Sequence, residues 1–220
     1  MRAGSGYASG RATRELLVRT AERLIAERGV DGVSLREVAA AAGQRNTAAV
    51  RYHFGDREGL VGAVFEFRLP GINERRLALL DQIRAEGLLD DPCRLVEAYA
   101  LPLVEEAARP NSHYVGFLNR LSHHNRTSHP FWQIAPTLTD SAEAVLRLLA
   151  RRVPLPTPSQ RDLRARLVTG FIVSSLASHY AARERGLAGT PRAALIVDDV
   201  LAVAAAMITA VRTLRPAPTR

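Results

Sequence analysis

Residues 34–55 read Ser34-Leu35-Arg36-Glu37-Val38-Ala39-Ala40-Ala41-Ala42-Gly43-Gln44-Arg45-Asn46-Thr47-Ala48-Ala49-Val50-Arg51-Tyr52-His53-Phe54-Gly55, and this stretch decides the fold. Ser34 followed three positions later by Glu37 is a capping box: the hydroxyl accepts from the backbone amide of residue 37, and the carboxylate reaches back to the amide of Ser34. The helix opened in this way runs only about two turns before Gly43 supplies an exit. A second short helix is predicted from about Thr47 to Phe54, with Asn46 or Thr47 as its cap and Gly55 as its breaker. Two such helices, joined by Ala42-Gly43-Gln44-Arg45 and the residues just after, make a helix-turn-helix. The second helix of that motif can enter the major groove of DNA.

Helical phase selects the reading face. At 100° per residue, Val50 and Phe54 fall together and pack inward against Leu24, Leu35 and Val38, while Ala48 and Tyr52 point away, flanked by Ala49 and Arg51. Arg51 is placed to donate a bidentate pair to guanine, Thr47 or Ala48 to touch a thymine methyl, and Asn46 to read adenine. Arg36, Tyr52 and His53 suit phosphates, as do the free amides at the start of the helix. With Ser34 and Arg45 these residues form the expected DNA-contacting set.

Outward from this motif the helical spacing continues. Residues 11–28 line up Leu17, Ala21, Leu24 and Ile25 on one stripe, and Gly29 ends the segment. Ahead of it, the Gly/Ser-rich start of the chain reads as a flexible arm. Asp56 caps a long segment carrying Leu60, Val61, Val64, Phe65, Leu69, Ile72, Leu77 and Leu80, which Pro70-Gly71 is expected to kink or divide. Asp91-Pro92 is a strong helix start. Helices are then predicted over 92–108, 112–124, 139–152, 159–185 and 192–214, with Pro154, Pro156 and Pro158 in a stiff connector. Alternating strand patterns between tight turns are lacking. The expectation is an all-α protein: a three-helix DNA-binding domain over residues 1–56, and a helical ligand-binding and dimerisation domain over 57–220. The last predicted helix is apolar on nearly every side, which points to a homodimer through the last two helices.

Composition bounds the function. The chain has 220 residues, 47% of them hydrophobic, enough for a sizeable core. Thirty basic residues against 22 acidic ones give a formal charge of +8, yet every basic residue is arginine. With 20 arginines against 15 acids in residues 61–220, most of the excess lies outside the helix-turn-helix and reads as solvated surface. The one cysteine, Cys93, cannot form an internal disulfide, and the apolar runs are too short or too polar for a membrane. No signal peptide precedes the first helix, so the cytoplasm is the expected location. His113, His123, His124 and His129 lie close in sequence but lack the spacing of a zinc site, and neither a metal nor a cofactor is expected. Gly-rich phosphate loops, nucleophile elbows and paired catalytic carboxylates are lacking too, so an enzyme is not expected. Tyr99, His113, Phe117, Trp132 and His179 are the candidate lining of a cavity for an unknown small-molecule effector.

Residues 12–65 resemble the DNA-binding domain of TetR-type (tetracycline-repressor-like) transcriptional regulators. The resemblance rests on Ala21-Glu22-Arg23-Leu24-Ile25-Ala26-Glu27-Arg28-Gly29, Val33-Ser34-Leu35-Arg36-Glu37-Val38-Ala39, Ala42-Gly43, and Tyr52-His53-Phe54-Gly55-Asp56-Arg57-Glu58-Gly59-Leu60. It departs at Arg51 and His53, where that family usually has aromatics that touch phosphate. The resemblance implies a homodimer that binds a palindromic double-stranded operator through paired third helices and is released when a small molecule enters the C-terminal domain. The alternative class is a helical small-molecule carrier or interaction protein with a degenerate helix-turn-helix.

Overall fold

A computed structural model describes residues 4–44, 47–123, 140–152 and 157–210. Among the described residues there are nine helices and no strand: α1 (Gly4–Arg28), α2 (Leu35–Ala41), α3 (Thr47–Phe54), α4 (Arg57–Ala85), α5 (Pro92–Ala107), α6 (Tyr114–His123), α7 (Asp140–Arg152), α8 (Pro158–Glu184) and α9 (Ala193–Thr209). The all-α expectation holds.

The local signals act as chemistry requires. Ser34 and Glu37 form the capping box in full, with the Glu37 amide donating to Ser34 Oγ at 3.2 Å and the Ser34 amide donating to Glu37 Oε2 at 2.9 Å. Asp56 caps α4 by accepting from the Gly59 amide at 2.8 Å, and Asp91 caps α5 ahead of Pro92. Gly43 takes a φ of +68° to turn the chain between α2 and α3.

Two expectations are corrected. α1 reaches back to Gly4, so the arm expected ahead of residue 11 is helical from there on. No proline interrupts it, and extending an existing helix costs far less than starting one. α4 is not divided at Pro70-Gly71 but runs as one helix through both residues, which are exposed. Pro70 removes one amide donor to the Glu66 carbonyl on the side facing water, and the buried stripe from Leu60 to Ile83 holds the rest. Within one chain α9 buries Val200, Ala204, Ala205 and Ile208 and packs Ile196, Leu201 and Met207 partly against the core, while Leu195 and Val203 stay exposed.

The core is built around α4, which packs against α1 on one side and α5 on the other; α1 also lies on α6, α6 on α8, and α9 on α5 and α8. Leu17, Val18, Ala21, Leu24 and Ile25 of α1 are all buried in this arrangement. Arg120 of α6 closes the end of α1 by donating to the Ala26 and Glu27 carbonyls at 3.2 Å each.

A charged cluster lies inside the apolar contact. Arg68 of α4 forks onto Glu22 of α1, with Nε donating to Oε2 at 2.6 Å and Nη2 to Oε1 at 2.9 Å, while its Nη1 donates to Glu106 Oε1 of α5 at 2.7 Å. The Ser112 hydroxyl donates to Glu106 Oε1 at 2.9 Å, and the His113 amide to Glu22 Oε1 at 2.7 Å. All three charged side chains are under 10% exposed. Removing the cation leaves two carboxylates buried without it, so Arg68→Met is expected to lower unfolding stability by about 3–5 kcal/mol. Urea denaturation checks this, and a loss under 1 kcal/mol would show that the cluster contributes little.

Candidate nucleic-acid interface

The outward surface of α2 and α3 is assembled by burial on the opposite side. Val50 is fully buried and Phe54 is 8% exposed, whereas Tyr52 is 87% exposed and Arg51 is exposed beside it. The predicted phase of α3 is therefore the observed one. The Arg14 guanidinium lies 5.5 Å from the centre of the Phe54 ring, covering its remaining edge. His53 is half-buried, with its ring edge-on to Tyr52 at 5.4 Å.

Ser34, Leu35, Arg36, Arg51, Gly55, Asp56 and Arg57 line one open groove. It brings together Ser34, Arg36 and Arg51 of the expected DNA-contacting set, and adds Arg57, which sequence reasoning missed. Arg57 was legible only as the first residue after the Asp56 cap; Ser34, Leu35 and Arg36, which face it across the groove, lie more than 20 residues earlier. The groove lies between the amino-terminal ends of α2 and α4, whose Glu37 and Gly59 amides are already capped by Ser34 and Asp56, so its positive charge comes from Arg36, Arg51 and Arg57. The Ser34 hydroxyl is already engaged, donating to Glu37 Oε2 at 2.7 Å. Those bonds from the Ser34 side chain and backbone hold the Glu37 carboxyl below the usual carboxylate range, so the helix start stays ionised and closed at neutral pH. Thr47 and Ala48 lie in the first turn of α3, while Arg45 and Asn46 fall outside the described residues.

Four of the five candidate cavity residues lie among the described residues. Tyr99 of α5 stacks on Arg76, with its ring centre 5.4 Å from the guanidinium carbon. Phe117 is fully buried in an aromatic cluster with Phe65 and Tyr114. His113 is half-buried just ahead of α6, its Nδ1 3.5 Å from Glu184 Oε1. His179 of α8 lines a different concavity with Ser174, Ser175 and Ser178, and burial, then Arg183, pushes its imidazole towards the neutral form. Trp132 lies outside the described residues. Tyr99 thus borders Arg76 and Phe117 borders Tyr114, while His113 and His179 have other neighbours. Among the described residues no three His, Cys, Asp or Glu side chains gather into a metal-holding group, and no helix is long and apolar enough to cross a membrane.

Two substitutions test the interface. Arg51→Ala is expected to weaken binding to a selected duplex by about 1–3 kcal/mol and to relax preference at one base position. A uniform loss over all sequences, seen in competition gel shifts, would reassign Arg51 to phosphate. Phe54→Ala is expected to cost about 3–5 kcal/mol of stability through loss of the packed ring. Thermal unfolding identical to that of the unaltered chain would contradict the burial of Phe54.

Comparison with known proteins gives the motif its lineage. Residues 17–64 match the family model described as bacterial regulatory proteins, tetR family. No curated protein matches the chain by sequence. Among solved structures, the chain is similar to HlyIIR, a hemolysin II transcriptional regulator, at 16% identity and a TM-score of 0.57, covering 91% of this chain and 99% of that one. It is also similar to a protein from Rhodococcus sp. assigned to the TetR family of transcriptional regulators, at 18% identity and a TM-score of 0.54, covering 90% of this chain and 100% of that one. Residues 17–64 thus carry the match to the tetR family of bacterial regulatory proteins, and the chain as a whole has the helical fold of these two solved regulators.

Proposed function

We propose that this DNA-binding regulator works as a homodimeric repressor, released from a palindromic operator by a small-molecule ligand. The observation that carries the reading is the split surface of α3, with Val50 and Phe54 buried and Arg51 and Tyr52 presented outward. Arg51 reads bases together with Asn46, Thr47 and Ala48, and Arg36, Arg45, Tyr52, His53 and Arg57 hold phosphates. Residues 1–56 form the DNA-reading unit, and residues 57–220 carry ligand binding and dimerisation. Such a regulator meets its operator in the cytoplasm.

Dimerisation through α8 and α9 is supported by what those helices leave uncovered. Leu163 and Leu167 on α8 are 50% and 54% exposed, and Leu195 and Val203 on α9 are 58% and 46% exposed. Each pair is four or eight residues apart, so each lies on one helix face. Packing α8 and α9 against the same pair of a second copy makes a four-helix bundle and removes these side chains from water. The dimer then presents two α3 helices to successive major grooves roughly 34 Å apart, and a ligand that changes their spacing lowers operator affinity.

Selection of duplexes from a random library by the purified chain tests this reading. The expected product is an inverted repeat that an Asn46→Ala/Arg51→Ala variant fails to enrich. A folded, dimeric chain that enriches no sequence at moderate salt would overturn it.

A further inference from the structure

The buried face of α4 carries two arginines, Arg68 and Arg76, eight residues and about 12 Å apart along the helix. Their surroundings differ in one respect. Glu106 receives a second cation, Arg109, at 3.1 Å, so the Arg68 cluster holds as many positive charges as negative ones. Arg76 is 3% exposed and, among the described residues, meets no carboxylate. Its Nη1 donates to Ser141 Oγ at 2.9 Å and to Asn73 Oδ1 at 3.3 Å, and its Nη2 to the Tyr99 carbonyl at 3.4 Å. Every one of these partners is neutral.

Two donors are left over. Arg76 Nε has no hydrogen-bond partner, and neither has the hydroxyl of Tyr114, which is 1% exposed on α6. Burial pushes the Arg76 guanidinium down; it pushes the Tyr114 phenol up, with the nearby Arg76 charge opposing that rise and the Glu22 and Glu106 carboxylates adding to it, so the phenol stays a neutral donor. Ser141 belongs to the first turn of α7, so the positive end of that helix dipole adds to the same place. A cation out of water with no counter-charge is strongly unfavourable, and so is a buried donor with no acceptor. An oxygen anion satisfies both. Phe65 and Phe117, whose ring centres lie 6.4 and 6.0 Å from that of Tyr114, supply an apolar wall beside it.

We infer that Arg76 and Tyr114 form the anchor of an anion-binding site that takes the carboxylate, or an equivalent monoanionic oxygen group, of an organic acid with an apolar body. Arg76 neutralises the charge, and its Nε and the Tyr114 hydroxyl donate to the oxygens. The site deepens the ligand-responsive reading proposed above and rests on it for regulatory meaning: an acid held there acts on the helix whose Arg68 grips Glu22 of α1.

The test uses the full chain at neutral pH with formate, acetate, butanoate, hexanoate and benzoate, each paired with its uncharged primary amide. At least one acid is expected to raise the unfolding midpoint by about 3 °C near saturation, and its amide is not. Arg76→Met is expected to abolish the shift while unfolding no earlier than the parent without ligand, and Tyr114→Phe to weaken binding about tenfold by calorimetry. Should Arg76→Met fail to fold, the Tyr114→Phe titration decides. Acids that stabilise the parent and Arg76→Met equally, a series in which none stabilises the parent, or unchanged affinity in Tyr114→Phe would overturn the assignment. Retention on the selected duplex, measured in the same samples, separates the two readings. Acid binding lost with Arg76 but without effect on DNA retention keeps the site and removes its regulatory role, while acid binding in a chain that retains no duplex removes the regulator reading alone.

Discussion

The position of α1 on the rest of the chain depends on Arg68 held between Glu22 and Glu106. Apolar faces made of alanine, leucine and valine resemble one another from turn to turn, and such helices pack almost as well one turn out of step. The fork of Arg68 onto Glu22 does not permit that freedom, because planar guanidinium and carboxylate groups meet in only one register. A lysine at this position would offer a point charge and could shed its proton when buried; arginine does neither. The Ser112 hydroxyl and His113 amide take up remaining carboxylate lone pairs, and so the segment leading into α6 is tied to the same point.

Local chemistry made much of the fold legible in the sequence. Ser34 with Glu37, Asp56, and Asp91 before Pro92 each act over two or three residues, a distance at which spacing alone determines geometry. The phase of α3 followed from the same short-range regularity. Contacts between distant segments left weaker traces. Glu22 and Arg68 are 46 residues apart, and Arg68 and Glu106 are 38 apart, so nothing in the order of residues pairs them. Their one signal is phase: Glu22 falls on the stripe of Val18 and Ile25, and Arg68 on that of Val64, Phe65 and Ile72, where a charge is out of place unless it is met inside. Arg76 carries the same signal, four residues beyond Ile72.

The lining of a cavity leaves a weak trace in the sequence for a related reason. Tyr99, His113, Phe117 and His179 were chosen because their side chains suit ligands, but three-dimensional proximity in a helical protein depends on which face each occupies and which helix lies opposite. The buried arginines on α4, disguised by a composition in which arginine is everywhere, carry more information about the interior than the aromatics do. In a chain with 30 arginines, the informative ones are the few that water does not reach.

Gly59 has a mechanical consequence. A Cβ there would come within 2.0 Å of the Phe54 carbonyl oxygen, so the end of α3 is pressed against the first turn of α4 with no side chain between them. The corner joining the two helices acts as a stiff elbow, braced by the Asp56 cap, and α3 is carried by α4 as a blade is carried by its handle. That handle is 29 residues and about 43 Å long. Tilting it by about 5° around its inner end sweeps the outer end by about 4 Å, comparable to the rise of one base pair, so small adjustments deep in the helical body are enough to take the blade out of register with a groove.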